Sequence, residues 1–280
     1  DTLRPLGSSS GSAVAVSSGM AIGAIGTDAL GSVRLPAAAC GITGLKPSKN
    51  LIDTSGLATC SWTFETIGPL ARTSDDAFLL LAGMLGVPMD PRKLDTKIQG
   101  MVIGVPREFI NSSPIISDEV KRHFEAVLNV FIGLGVQIKD IGLIGYDLEA
   151  ARKASWLVTS VEAYEFHLDD LQANPEGYSE PMRAMMEFGA QSSDEMRLKA
   201  VAAIAAAGDA VDHALMQVEA LLLPTLPTLD IGYDKPVNPR IADFTSLANM
   251  LGVPAITVPS AIGNNGVPFG FQIVTESLAE

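Results

Sequence analysis

The segment GTDALGSVRLPA, residues 26–37, has the pattern of a strand end, a tight turn and a helix start. An apolar stretch precedes it, and Ser32 stands where the predicted helix begins. A junction of this kind presents a hydroxyl beside successive backbone N–H groups. An attacking serine needs that arrangement, because the same turn can hold the oxyanion that forms on the attacked carbonyl. The segment therefore makes Ser32 a candidate nucleophile.

Outward from this turn, strand and helix patterns alternate, which is typical of an α/β architecture around a central sheet. Apolar or alternating runs predict a buried strand near 22–26 and further strands near 101–106, 135–141, 220–225, 255–259 and 269–274. Helices are predicted near 12–19, 74–86 and 117–133 and over most of 148–220, the longest run being 194–219. Ser74 and Ser117 are the predicted N-caps, and Gly86 is a predicted helix end. Since no linker with a change of composition divides the chain, residues 1–280 are predicted to form one domain.

The composition narrows the class of protein. Of the 280 residues, 47% are hydrophobic and 18% charged, which excludes a disordered chain. The net charge of −13 argues against nucleic acid or an anionic membrane as the main partner, because both select basic surfaces. Residues 13–25 are too short for a membrane span, which needs roughly 20 apolar residues. Two cysteines cannot form a disulfide framework, so we expect a reduced, cytoplasmic protein.

Other catalytic and binding motifs fail on their context. Residues 7–11, GSSSG, match the G-x-S-x-G elbow around Ser9, but that motif needs a preceding core strand and a late histidine. The last histidine is His213, on a predicted helix. Neither the histidines nor the cysteines have metal-ligand spacing, and no phosphate-binding glycine motif follows a strand. We therefore predict no metal and no cofactor.

The chain contains eight short motifs, and their order along the sequence is a specific signal. They are GSSSGSA (7–13), GTDALGSVRLPA (26–37), CGITGLKP (40–47), GPLART (68–73), IGVP (103–106), LLPT (222–225), NMLGVPA (249–255) and PFGFQ (268–272). In this order they resemble the amidase signature family, serine hydrolases of C–N bonds. The resemblance implies that family's α/β fold, a central mixed twisted β-sheet covered by helices on both faces.

The resemblance also implies roles for individual residues. Ser32 corresponds to the acylated nucleophile, and Ser8 to a bridging serine that follows a cis peptide bond. A neutral lysine completes the family's triad. The implied oxyanion donors are the backbone N–H groups of Ala29, Leu30, Gly31 and Ser32. The implied supporting residues are Ser9, Asp28 and Arg34, the last two as scaffold residues that pin the turn.

Two departures from the family pattern lead to expectations of their own. The family's lysine precedes the serine-rich run, whereas only seven residues precede Ser8, and neither Lys46 nor Lys49 matches its position. We therefore expect this chain to be part of a longer amidase domain, without the lysine-bearing N-terminal part and the extreme C-terminus. In an assay of ammonia release from simple amides, the 280 residues should show little or no activity while the intact parent is active; a fully active fragment would contradict this.

The second departure is Leu30, which stands where the family has glycine, so a positive φ there would strain it.

The function implied is hydrolysis of a small or medium carboxamide to acid plus ammonia or amine, without direct contact to nucleic acid or membrane. Two alternatives stay open: the glutaminase A subunit of a tRNA-dependent amidotransferase, and a non-catalytic amidase-like scaffold. A small-molecule amide is the expected partner, and a homodimer stays open as well.

Overall fold

An eight-stranded mixed sheet organises the chain in a computed structural model that describes residues 3–88, 90–91, 97–234 and 236–280. The strands are β1 (Gly23–Asp28), β2 (Thr43–Lys46), β3 (Thr66–Ala71), β4 (Val102–Val105), β5 (Gln137–Asp140), β6 (Ala220–Pro224), β7 (Ala255–Ile262) and β8 (Pro268–Val274). They lie in the order β1-β3-β2-β7-β8-β6-β4-β5. The β4 strand pairs in parallel with β5 and β6, and all other pairs are antiparallel. The predicted α/β class with a mixed central sheet is confirmed.

Helices pack against this sheet and extend from it. They are α1 (Ser10–Ser17), α2 (Arg34–Ala39), α3 (Ser74–Leu85), α4 (Arg107–Ser112), α5 (Asp118–Gly133), α6 (Leu148–Ala173), α7 (Glu180–Ala190), α8 (Asp194–Leu215) and α9 (Ser246–Leu251). Local capping explains several of their ends: Ser117 Oγ accepts a hydrogen bond from Val120 N at 3.2 Å, and Gly86 ends α3 at a φ of 66°. Within the described residues, no helix has the length and apolarity to span a membrane.

Several predicted elements differ from the observed ones. The longest helix is α6 with 26 residues, not the run 194–219, where α8 ends at Leu215. Thr73 rather than Ser74 caps α3, because the Thr73 hydroxyl accepts the hydrogen bond from Asp76 N. The strand predicted as buried near 22–26 is β1, an edge strand on which Ile25 is 58% exposed. Sequence patterns do not predict β2, β3, α4 and α9, which are short and defined mainly by long-range pairing and packing.

Two apolar clusters flank the turn between β1 and α2. On one side, Val33 and Ala37 pack in a cluster with Ala13 and Val16 of α1 and with Leu70 of β3. On the other side, Ala29 and Leu30 pack against a cluster of Phe64, Ala151, Ala207 and Met250, which brings in α6, α8 and α9. The turn is therefore held between the edge of the sheet and the helical layer.

Candidate active site

The carboxylate of Asp28 closes the turn between β1 and α2. Its Oδ1 accepts a hydrogen bond from Gly31 N at 2.7 Å, and its Oδ2 accepts from Val33 N at 3.3 Å and Arg34 N at 3.4 Å. Asp28 is fully buried, so these N–H groups have no water to replace the carboxylate. Three backbone N–H groups between residues 31 and 34 therefore depend on this one side chain.

The guanidinium of Arg34 links this turn to the far end of the chain. It donates to Asp28 Oδ2 at 3.0 Å and Oδ1 at 2.9 Å, to Asn249 Oδ1 at 2.7 Å and to Gln272 Oε1 at 3.0 Å. Burial alone raises the pKa of Asp28, but the charge and hydrogen bonds of Arg34 outweigh it and lower the pKa to about 2. The pair is thus ionised and fully bonded in the interior, which is the condition under which buried charges are tolerated.

Gly31, and not Leu30, carries the unusual backbone conformation of the turn. Gly31 has a φ of 122°, and a Cβ built there would lie 2.1 Å from Thr245 Oγ1. Leu30 is not among the described residues with positive φ, so the strain considered for it does not arise. Its carbonyl instead accepts a hydrogen bond from Thr245 Oγ1 at 2.8 Å. A glycine is required at 31 and a larger residue fits at 30.

The serine-rich segment lies directly against this turn. The peptide bond between Gly7 and Ser8 is cis, as the family resemblance implied. The next residue, Ser9, donates its backbone N–H to the Ser32 carbonyl at 3.2 Å. The Ser9 hydroxyl also bonds both backbone groups of Thr27, at 3.1 and 3.3 Å. These contacts bring Ser8, an exposed residue, into the neighbourhood of Ser32.

Ser32 lines a cavity of about 420 Å³. Most of the lining is apolar, and the polar contributions besides Ser32 come from Arg152, Ser155 and Ser246. A concave, largely apolar site with a few polar groups is the usual form of a small-molecule site. The residues around Ser32 come from the turn, from α2, from α6 and from residues 239–246 (Leu30, Leu35, Arg152, Ser155, Trp156, Pro239, Ala242 and Ser246).

The backbone N–H groups of the turn are not equivalent. In the described part of the chain, the Leu30 and Ser32 N–H groups donate to no protein acceptor. The Gly31 N–H does donate, to the Asp28 carboxylate at 2.7 Å. Because one N–H makes one good hydrogen bond, Gly31 cannot serve as an oxyanion donor in this arrangement. The Gly31 N–H is thus occupied by Asp28, and Ala29, Leu30 and Ser32 stay predicted oxyanion donors.

Neither Lys46 nor Lys49 contacts the serines. Lys46 Nζ donates to the Pro47 carbonyl at 2.9 Å, and Lys49 Nζ donates to the Thr63 carbonyl. Lys46 is completely buried near Asp28 and Arg34, and its burial and the charge of Arg34 lower its pKa to about 7, against the opposing pull of Asp28. No sequence pattern indicates this burial, because a strand of four residues is too short for its pattern to show whether the lysine side chain is buried or solvated.

The buried Lys46 predicts a pH dependence of stability. Its pKa is about 7 in the folded protein and near its ordinary 10.5 in the unfolded chain. Between these values the unfolded chain binds the extra proton, so the free energy of unfolding should rise with pH, by at most about 1.4 kcal/mol per pH unit. Urea unfolding of wild type and Lys46→Met between pH 7 and 9 measures this rise, which the variant should lose. The surface substitution Lys139→Met should keep it, and equal slopes for wild type and Lys46→Met would contradict the expectation.

No group of three or more His, Cys, Asp or Glu side chains in the described residues is arranged to hold a metal ion. The buried His167 is instead bonded within the protein, with Nε2 3.1 Å from the Thr59 carbonyl and Nδ1 3.1 Å from the Tyr178 hydroxyl. His167 thus links the loop that contains Thr59 to α6, and it is not a lining residue of the Ser32 cavity.

The sequence and the fold of this chain are both similar to those of known proteins. The family model Amidase matches residues 2–280. The A subunit of glutamyl-tRNA(Gln) amidotransferase from Alkalilimnicola ehrlichii is 32% identical over 99% of this chain and 64% of its own length. A crystal structure of an amidase superposes with a TM-score of 0.86 at 29% identity, covering 99% of this chain and 64% of that one. The A subunit of glutamyl-tRNA(Gln) amidotransferase from Thermotoga maritima superposes with a TM-score of 0.80 at 28% identity, covering 98% and 63%. This chain thus spans less than two thirds of the relatives that it matches.

Proposed function

The chain belongs to the amidase family, and from this premise we propose that it contributes a serine site that hydrolyses a carboxamide C–N bond to an acid plus ammonia or an amine. The observation that carries the proposal is the position of Ser32, which lines a small-molecule-sized cavity on a turn whose Leu30 and Ser32 N–H groups are free within the described residues. A nucleophile next to unused backbone donors is what acyl transfer requires. The proposed domain is the single one spanning residues 1–280.

In the proposed reaction, Ser32 Oγ attacks the amide carbonyl carbon while its proton passes to Ser8, which in turn gives its own proton to a neutral lysine. Ala29, Leu30 and Ser32 N–H groups hold the resulting oxyanion. The C–N bond then breaks as the protonated lysine returns its proton through Ser8 to the leaving nitrogen. Water then attacks the acyl-enzyme, giving one proton back to the Ser32 oxygen through the same relay, and the acid is released. Asp28, Arg34 and Ser9 act as supporting residues that hold the turn and the serine-rich segment in place.

A fluorophosphonate probe tests the identity of the nucleophile. We expect the full-length protein to form a covalent adduct on Ser32, located by peptide mass spectrometry, because only an activated serine reacts with such a probe. Ser32→Ala should abolish the adduct. Ser155→Ala is the matched control, since Ser155 lines the same cavity but donates its hydroxyl to the Arg152 carbonyl at 3.0 Å. A folded protein that takes up no label would favour the non-catalytic scaffold.

A second candidate is the glutaminase subunit of an amidotransferase, because the relatives from Alkalilimnicola ehrlichii and Thermotoga maritima both carry the amidotransferase name. The chain's acidic charge of −13 suits this role only if a partner subunit contacts the tRNA. Strict dependence on glutamine and co-purification with a second subunit would favour it. Turnover of simple amides by the protein alone would favour the amidase.

A further inference from the structure

We infer that Arg152 is a specificity-determining residue that selects amides whose acyl group carries a carboxylate, a preference that rests on the proposed hydrolysis at Ser32. The substrate class is then the ω-carboxy amides, in which a short carbon chain joins a carboxylate to the scissile carboxamide.

Arg152 lies on α6, 120 positions after Ser32, yet both residues line the same cavity. Among the described lining residues it is the one with a charged side chain. The rest of the wall is mainly apolar and suits a methylene chain (Leu30, Leu35, Trp156, Pro239 and Ala242). A substrate that fills the cavity from Ser32 therefore meets Arg152 as the charged residue of the described lining, beside the hydroxyl residues Ser155 and Ser246.

The guanidinium of Arg152 is incompletely bonded. Its Nη2 donates to Glu149 Oε1 at 2.7 Å, whereas its buried Nε has no hydrogen-bond partner in the described part of the chain. A buried donor without an acceptor costs free energy. Because this Nε has almost no accessible surface, a ligand in the cavity bonds it after the Arg152 side chain turns, and that bond recovers the cost. Because a guanidinium binds a carboxylate with two parallel hydrogen bonds, a carboxylate is the acceptor that fits it best.

The charges around Arg152 leave a local cation surplus. Glu149 is shared by Arg152, by Lys153 at 3.2 Å and by Arg240. The other carboxylate nearby, Asp243, lies 3.6 Å from Arg240, and burial raises its pKa. Three cations thus face two carboxylates, in a chain whose net charge is −13. One more carboxylate at this place balances the cluster.

Binding of a matched pair of amides tests the inference without depending on turnover. The monoamide of glutaric acid carries the carboxylate, and pentanamide replaces it with a methyl group. Calorimetry on the Ser32→Ala protein, which is not expected to turn the amides over, should give a dissociation constant at least about tenfold lower for the carboxylate compound than for pentanamide, the size expected for a hydrogen bond to a charged group. The Arg152 and Lys153 variants are compared in the same background. Arg152→Met should remove the preference while pentanamide binding changes less than about twofold. Arg152→Lys, which keeps the charge but not the two parallel donors, should retain part of it.

Lys153→Met is the matched control, because Lys153 is the next residue and also pairs with Glu149 but does not line the cavity. It should keep the wild-type preference. Equal affinities for the two amides, no binding of either, or an unchanged preference in a folded Arg152→Met would each overturn the inference. The proposed function fails separately, through absent labelling of Ser32 and absent hydrolysis of both amides. Hydrolysis of both compounds with equal kcat/KM would leave the proposed function intact and remove only the role of Arg152.

Discussion

Replacing Ser32 by alanine is expected to lower kcat for amide hydrolysis by about 10³- to 10⁶-fold in the full-length protein, the range found when a catalytic serine is removed. The cause is the loss of the acyl-enzyme route, since no other hydroxyl among the described cavity residues is presented beside free backbone N–H groups of the turn. Ammonia release measured under single-turnover conditions checks the effect. KM should change little, because the hydroxyl is a small part of the cavity wall.

The same variant should fold normally. The Ser32 hydroxyl makes no hydrogen bond in the described part of the chain, so its loss should change the free energy of unfolding by less than about 1 kcal/mol. Ser12→Ala serves as the control for activity, since Ser12 bonds the Ile25 carbonyl on the edge strand at 2.9 Å and is not a cavity residue. Retention of wild-type kcat in Ser32→Ala would rule out the proposed nucleophile.

Replacing Asp28 by asparagine is expected to lower the free energy of unfolding at pH 7 by about 3–5 kcal/mol, the cost of breaking a buried ion pair. The variant leaves the guanidinium of Arg34 buried without a counter-ion and weakens the acceptor of the Gly31, Val33 and Arg34 N–H groups. Denaturant unfolding followed by circular dichroism measures the loss. Arg107→Met, which removes surface ion pairs with Glu125 and with Asp140 at 2.8 Å, should cost less than about 1 kcal/mol. Equal costs for the two variants would show that the Asp28–Arg34 pair does not stabilise the turn.

The pH dependence gives an independent measure of the same pair. The pKa of Asp28 is about 2 in the folded protein and 3.8 as its ordinary value, so its contribution is fully present above pH 3.8 and is lost as the pH falls towards 2. Wild type should therefore lose about 2 kcal/mol over that interval through this group. Asp28→Asn should lack that part of the acid transition, and an identical acid profile would contradict the assignment.

The sequence alone determined the features that depend on near neighbours. The turn at residues 26–37, the caps at Ser117 and Gly86 and the strand–helix alternation follow from side chains that act over a few positions. The cis bond before Ser8 and the candidacy of Ser32 and Ser8 came from the order of the motifs and their resemblance to a family. These signals are readable because turn and cap chemistry is local.

Tertiary structure decided everything that depends on which distant segments meet. Asn249 reaches Arg34 across 215 positions, and Arg152 reaches the cavity of Ser32 because α6 packs over the turn. The burial of Lys46 and the placement of β1 at the sheet edge follow from the strand order, which no local pattern encodes. The use of the Gly31 N–H by Asp28 is a local contact, but it is fixed only when Arg34 and Asn249 bond that carboxylate and Gln272 holds the Arg34 guanidinium. Hydrogen-bond partners, burial and charge balance depend on which side chains meet in the folded protein. The sequence identifies candidate residues, but only the fold decides which of them are in contact.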